Sequence, residues 1–179
     1  MGGNKSTDIW PKSSFSYGEI NIDGYTVGRY GVSNELNANR TFPIKDGKVV
    51  KMINGIGLFC HEFSHTMGLP DFYPLTAEAQ IDNQGMEYWD LMDGGEYTNN
   101  GYSPTPYTPW EKEVMGWTSL KTLKDSTINV TLQPDDAWKI ESDNSDEYLI
   151  VHNIQKKGWH TGIAKLGHGM LVYRVNYGK

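Results

Sequence analysis

Two histidines four residues apart, His61 and His65, with Glu62 directly after the first, make an H-E-x-x-H pattern in this chain of 179 residues. On a helix that spacing sets both imidazoles on one face a turn apart, near enough to hold one divalent ion through two ring nitrogens. Glu62 then stands beside the ion, where its carboxylate can take a proton from a water that the ion activates, the division of labour of a zinc hydrolase. Such a site needs a third protein ligand and a position left open for water. Gly68 can end the helix in a left-handed turn and Pro70 forbids its continuation, so the chain doubles back and offers Asp71. The full spacing is H-E-x-x-H-x-x-G-x-x-D. Glu87 and Glu111 are the other carboxylates that could complete the set, as in zinc hydrolases whose third ligand lies far along the chain.

The element that must carry the pair is a helix over residues 51–67. Ile53, Ile56, Phe59, Cys60, Phe63 and Met67 fall on an i, i+3, i+4 stripe, which is expected to face the core with His61 and His65 flanking it. Cys60, the single cysteine, excludes an intrachain disulfide and reads as a small buried residue rather than a ligand. Ahead of the helix, residues 34–48 hold few apolar side chains and read as loop. Residues 20–32 alternate around Asp23 and Gly24 and read as a β-hairpin with its second strand over 25–32. Residues 1–20, rich in Gly, Ser, Asn and Lys, read as loop.

Behind the helix, residues 75–87 are polar and contain no convincing strand, and residues 96–108 have the Asn, Gly, Pro and Tyr content of a surface loop. Thr108 as N-cap, Pro109 at the first helical position, Glu111 closing a T-x-x-E capping box and Gly116 at the end predict a short helix. Its Trp110, Val114 and Met115 are expected to bury against the catalytic domain, with Trp117 closing that domain. Beyond residue 119 the period becomes two: residues 128–132, 147–154 and 170–177 alternate and predict an antiparallel sheet. His152, His160 and His168 read as structural, because none has a partner at ligand spacing.

Composition bounds the partners. With 37% hydrophobic and 21% charged residues the chain can bury a core. A net charge of −6 disfavours nucleic acid and anionic membranes, and Lys156 and Lys157 are too small a cluster to reverse that. The longest apolar runs are too short to span a bilayer, and the opening residues lack a signal-peptide core. The acidic run over residues 141–147 could take Ca²⁺ but has no fixed ligand register and reads first as a solvated turn.

The run from His61 to Tyr73 resembles the zinc signature of the immune inhibitor A family of secreted bacterial metallopeptidases, which are metzincin-like. Asp8 to Pro11, the YWDLMDGG run from Tyr88 to Gly95, the segment from Pro109 to Trp117 and the GHGMLVYRVNY run from Gly167 to Tyr177 resemble further landmarks of that family in the same order. The resemblance implies an α+β, metzincin-like catalytic domain over residues 1–118, with a partial upper sheet, an active-site helix, a Met-turn at Met92 and a C-terminal helix. A smaller antiparallel β unit over 119–179 follows. It implies Zn²⁺ as the catalytic metal on His61, His65 and Asp71, with Glu62 as general base, and a methionine floor under the histidines. Tyr97 or Tyr102 would stabilise the reacting carbonyl oxygen. The strand over 25–32 would be the sheet edge to which a peptide substrate adds itself. Because the segment at Asp8 follows the first strands of the sheet in that family, the chain is expected to be an internal fragment of a secreted enzyme whose signal lies outside it. The reading is thus a zinc endopeptidase acting on protein or peptide. Its rivals are a catalytically silent module of the same fold and a zinc hydrolase of another class.

Overall fold

A computed structural model describes residues 11–18, 20–37, 44–49, 52–81, 85–124 and 129–177. Helices and strands are mixed along the chain in an α+β arrangement. The chain divides into two compact units, Met1–Pro104 and Thr105–Lys179. Asp8, Ile9 and Trp10 lie outside the described residues.

In the first unit, β1 (Lys12–Phe15) pairs antiparallel with β4 (Arg29–Val32), Lys12 opposite Val32 and Phe15 opposite Arg29. Between them β2 (Asn21–Ile22) and β3 (Tyr25–Thr26) form the expected hairpin around Asp23 and Gly24. The strand expected over 25–32 is not continuous. After Val27 N–H donates to the Ile20 carbonyl, the chain changes partner, and Ser16 N–H donates to Gly28. Residues 12–15, read as loop for want of apolar alternation, are drawn into a strand by that partner. The segment read as loop over 34–48 likewise contributes two-residue ladders: β5 (Leu36–Asn37), which pairs with β8 (Met52–Ile53), and β6 (Ile44–Lys45), which pairs with β7 (Lys48–Val49).

Helix α1 (Ile56–Thr66) starts five residues later than position 51, because Met52 and Ile53 are taken up by pairing with Asn37 and Leu36. Its inward face also differs from expectation. Ile53, Ile56, Phe59, Phe63 and Met67 are 39–70% exposed, whereas Gly57, His61 and Ser64 are buried. The burying contact is made on the other side. A Cβ on Gly57 would lie 1.9 Å from the Glu96 carbonyl oxygen, and one on Gly55 2.3 Å from the Gly101 carbonyl carbon, so helix and loop meet backbone to backbone. On the outer face Phe59 and Phe63, one turn apart, stack at 5.9 Å and 11° and cover each other in part.

Residues 77–81 form a short helix that patterning missed, α2 (Ala77–Ile81), whose Ala79 N–H donates to Thr76 Oγ1. The chain then runs through a 3-10 turn, Glu87–Trp89, and a tight turn at 91–93 into 3-10 turns over Gly94–Gly101, kinked at Thr98 to Asn100. Two aspartates build that tight turn from their own neighbourhood. Asp90 Oδ1 accepts from Met92 N–H at 2.6 Å, and Asp93 accepts from Gly94 N–H at 2.7 Å and Glu87 N–H at 2.6 Å. Leu91 and Met92, the latter 0% exposed, join Leu69 as the buried apolar residues here.

In the second unit α3 (Pro109–Val114) has the predicted capping box. Glu111 N–H donates to Thr108 Oγ1 at 3.3 Å and Thr108 N–H donates to Glu111 Oε2 at 2.5 Å, leaving two helix-end donors satisfied without water. Thr108→Ala is expected to lower stability by about 1 to 2 kcal/mol, read from urea denaturation; no shift in midpoint would mean the box does not persist in solution. Val114, expected to bury, is exposed, as is Trp117, expected to close the domain, while Trp110 Nε1 donates to the Tyr177 hydroxyl.

The sheet runs β12 (Gly169–Asn176), β11 (Glu147–Ile154), β10 (Ala137–Glu141), β9 (Lys121–Leu123). The first three are antiparallel, but β9 is parallel to β10, so the unit is not wholly antiparallel as expected. Residues 129–132 are not a strand; residue 128 lies outside the described residues. The missed strand β10 reads AWKIE, whose Lys139 reaches Glu113 of α3 in an ion pair. Ile150, Val151, Ile154 and Ile163 are its buried core. In the acidic run, Asn144 N–H donates to Ser142 Oγ and Asp146 N–H to Asn144 Oδ1, a turn capped by its own side chains.

Candidate metal centre

The helix must stop sharply after His65 if Asp71 is to return to it, and the sequence supplies the stop. Gly68 takes φ +101°, Leu69 N–H donates to Ser64 and Gly68 N–H to His65, the paired bonds of a Schellman ending. Pro70 follows and Asp71 swings back over the last turn. Its Oδ1 then lies 3.1 Å from His61 Nε2 and 3.2 Å from His65 Nε2.

The other nitrogen of each ring is held by a carbonyl. His61 Nδ1 is 3.0 Å from the Leu91 oxygen, and His65 Nδ1 is 2.8 Å from the Leu69 oxygen. A carbonyl can only accept, so each Nδ1 donates there and each Nε2 is the nitrogen turned toward Asp71. Two ring nitrogens and a carboxylate oxygen therefore converge at hydrogen-bond distance, and the same three atoms could serve as ligands to one cation. Two imidazoles and one carboxylate with room for a fourth position is a set that suits Zn²⁺. The same three residues form one compact group of donor atoms within 4.8 Å of one another.

Glu62 is half-buried beside the pair. Burial raises its carboxyl above the ordinary value, with the charge of Asp71 adding to the rise, while His61, His65 and a hydrogen bond from the Ser13 backbone pull it down. Strand β4 runs along the helix, its Arg29 donating from Nη1 to the His65 carbonyl at 2.7 Å.

Two residues of the site went unread in the sequence. Tyr73 stacks over His61 at 6.4 Å and 14°, and burial together with a hydrogen bond to Asp71 pushes its phenol up to about 12. Glu96 is buried with Oε2 3.7 Å from His61 Nδ1, and burial raises its carboxyl too. The 3.0 Å contact with Leu91 is the hydrogen bond of that nitrogen, and Glu96 is its electrostatic neighbour. Nothing in spacing marks a Glu in a polar loop, whereas Tyr73, two past Asp71, could have been found by extending the ligand segment.

Tyr102 donates to the Ile53 carbonyl, and Tyr97 bonds Glu96, the carboxylate beside His61. Glu111 closes the capping box, and Glu87 is exposed. The thiol of Cys60 is half-buried and raised by burial. Of the remaining histidines His168 is exposed, but His152 and His160, eight apart and read as unrelated, meet with ring centroids 5.7 Å apart. Burial lowers both, reinforced at His152 by the facing His160 and by Lys112, which take it to about 3, and opposed at His160 by Asp135.

Residues 1–119 match the family model described as immune inhibitor A peptidase M6, catalytic domain. Among curated proteins, the pre-pro-metalloprotease PrtV of Vibrio cholerae serotype O1, from strain M66-2 and from strain ATCC 39315 / El Tor Inaba N16961, is 27% identical over 101 residues. The match covers 51% of this chain and 11% of each relative, so the chain spans about a tenth of the length of the curated relatives it matches. No solved structure matches it.

Proposed function

Because this chain belongs to the immune inhibitor A peptidase M6 family, we propose that it is the metal-bearing part of a zinc-dependent endopeptidase of metzincin-like design. His61, His65 and Asp71 are the ligands and Glu62 is the general base. In this reading residues 1–118 are the catalytic domain and 119–179 a following β-rich unit. The observation that carries it is the convergence of the two Nε2 atoms on Asp71 Oδ1 at 3.1 and 3.2 Å.

Zinc held there would supply Lewis acidity, polarising the scissile carbonyl and lowering the pKa of a water to about 7. Glu62 takes the proton of the attacking water and returns it to the amine nitrogen as the C–N bond breaks. The Leu91 and Leu69 carbonyls hold the two rings in one tautomer, and Tyr73, protonated, orients Asp71. Met92, on the turn that supplies Leu91, is the Met-turn residue. No side-chain nucleophile is needed. Strand β4 is the edge a peptide substrate would extend through main-chain hydrogen bonds.

No helix among the described residues is long and apolar enough to cross a membrane. The pre-pro designation of the Vibrio cholerae relatives supports an extracytoplasmic site of action.

The test is metal content. His65→Ala and Asp71→Ala, purified without chelator, should each lose about one equivalent of zinc relative to the unsubstituted chain. If Asp71→Ala keeps both its zinc and its activity, a distant carboxylate is the third ligand and this assignment fails.

A further inference from the structure

We propose that the second unit carries a metal site of its own, in which Asp135, His152 and His160 bind a divalent cation of the zinc class. The three come together through the sheet's topology. β10 and β11 are antiparallel, with Ala137 opposite His152, so the start of one strand lies beside the end of the other. Asp135 stands just before β10, His152 near the end of β11, and His160 in the 3-10 turn Gly158–Thr161 beyond it. The donor atoms all lie within 4.8 Å of one another, and His160 Nδ1 is 3.2 Å from Asp135 Oδ1. Ligands at about 2.0–2.1 Å on a tetrahedron are separated by about 3.3 Å, the spacing that His160 Nδ1 and Asp135 Oδ1 already have.

The site is built rather than incidental. Asp135 N–H donates to the Asn153 carbonyl and Asn153 N–H to the Asp136 carbonyl, clamping the loop to the strand. Asn153 Nδ2 holds the Leu132 carbonyl at 2.8 Å on the same side. Asp135 takes φ +68°, in the left-handed region that aspartate tolerates. His152 is 3% exposed and His160 is buried, so two imidazoles face each other out of water, while the Asp135 side chain is 55% exposed and gives a path to solvent.

A His160–Asp135 pair alone would be an ordinary surface-edge contact; the second buried imidazole is what a metal explains. Imidazole donors select zinc, cobalt or nickel over calcium or magnesium, which require oxygen ligands. Lys112 acts on both rings with the same sign as the ion, so affinity should be below that of the His61, His65 and Asp71 site.

The whole chain, titrated with Co²⁺ and followed by visible absorption and by calorimetry, tests this. Unsubstituted protein should take two equivalents, and His65→Ala should keep one, the weaker. In the His65→Ala background, Asp135→Asn and His160→Gln should each weaken the remaining site at least about tenfold. Absence of any binding to His65→Ala with its circular dichroism intact overturns the proposal, as does unchanged binding in Asp135→Asn. Should His160→Gln fail to fold, Asp135→Asn, at an exposed side chain, decides alone. A chain that binds one equivalent, lost in His160→Gln but kept in His65→Ala, would uphold this site and refute the one on α1.

Discussion

Glu62→Ala is expected to leave zinc bound in full while lowering peptide hydrolysis by about 10² to 10⁴, the range for loss of a positioned general base. The separation of the two effects follows from the structure. In the proposed site the metal would rest on His61, His65 and Asp71, which are oriented by the Leu91 and Leu69 carbonyls and by Tyr73 rather than by the Glu62 carboxylate. The carboxylate of Glu62 meets instead the Ser13 backbone, from β1. Casein hydrolysis by the variant at the unsubstituted rate, with equal metal content, would remove Glu62 from the mechanism. Loss of zinc from the variant would show that it holds the site together instead.

Met92→Ala is expected to destabilise the fold by about 2 to 5 kcal/mol, the span for truncating a buried large side chain. Met92 has no exposed surface, and its turn is fixed on both sides of the site: the preceding carbonyl holds His61, and its own carbonyl accepts from Phe72 N–H, next to Asp71. Cavity relaxation should therefore be felt at the ligands, and zinc affinity should fall along with the denaturation midpoint. A midpoint unchanged within error would place this side chain outside the core in solution and withdraw its role as a floor.

Much of the centre was legible because its information is local. Spacing of four on a helix, a glycine and a proline to end it, and an aspartate three past the glycine are short-range instructions, and the structure brings those residues together. The capping box at Thr108 and Glu111 was legible for the same reason. The inward face of α1 was misread because hydrophobicity is a vote for burial, and here backbone contact at Gly57 outweighs it. β1 was missed because KSSF has no pattern of its own and is a strand only by virtue of β4. His152 and His160 looked unrelated at a separation of eight, since a strand end and a 3-10 turn, not a helix, fold that distance back on itself.

The contact at Gly55 and Gly57 sets which parts of this protein can be retuned. Where side chains mediate a joint, paired substitutions can adjust its spacing by fractions of an ångström; where two backbones touch, no side chain remains to trim. The distance from α1 to the loop that presents the Leu91 carbonyl is thus quantised. In a saturation library of the helix, Gly55 and Gly57 should tolerate no replacement, whereas Ile56, Phe59 and Phe63 on the opposite side should accept many. Any change in the reach or tilt of His61 has to be engineered from the far end, through the turn at Gly68 and the path to Asp71.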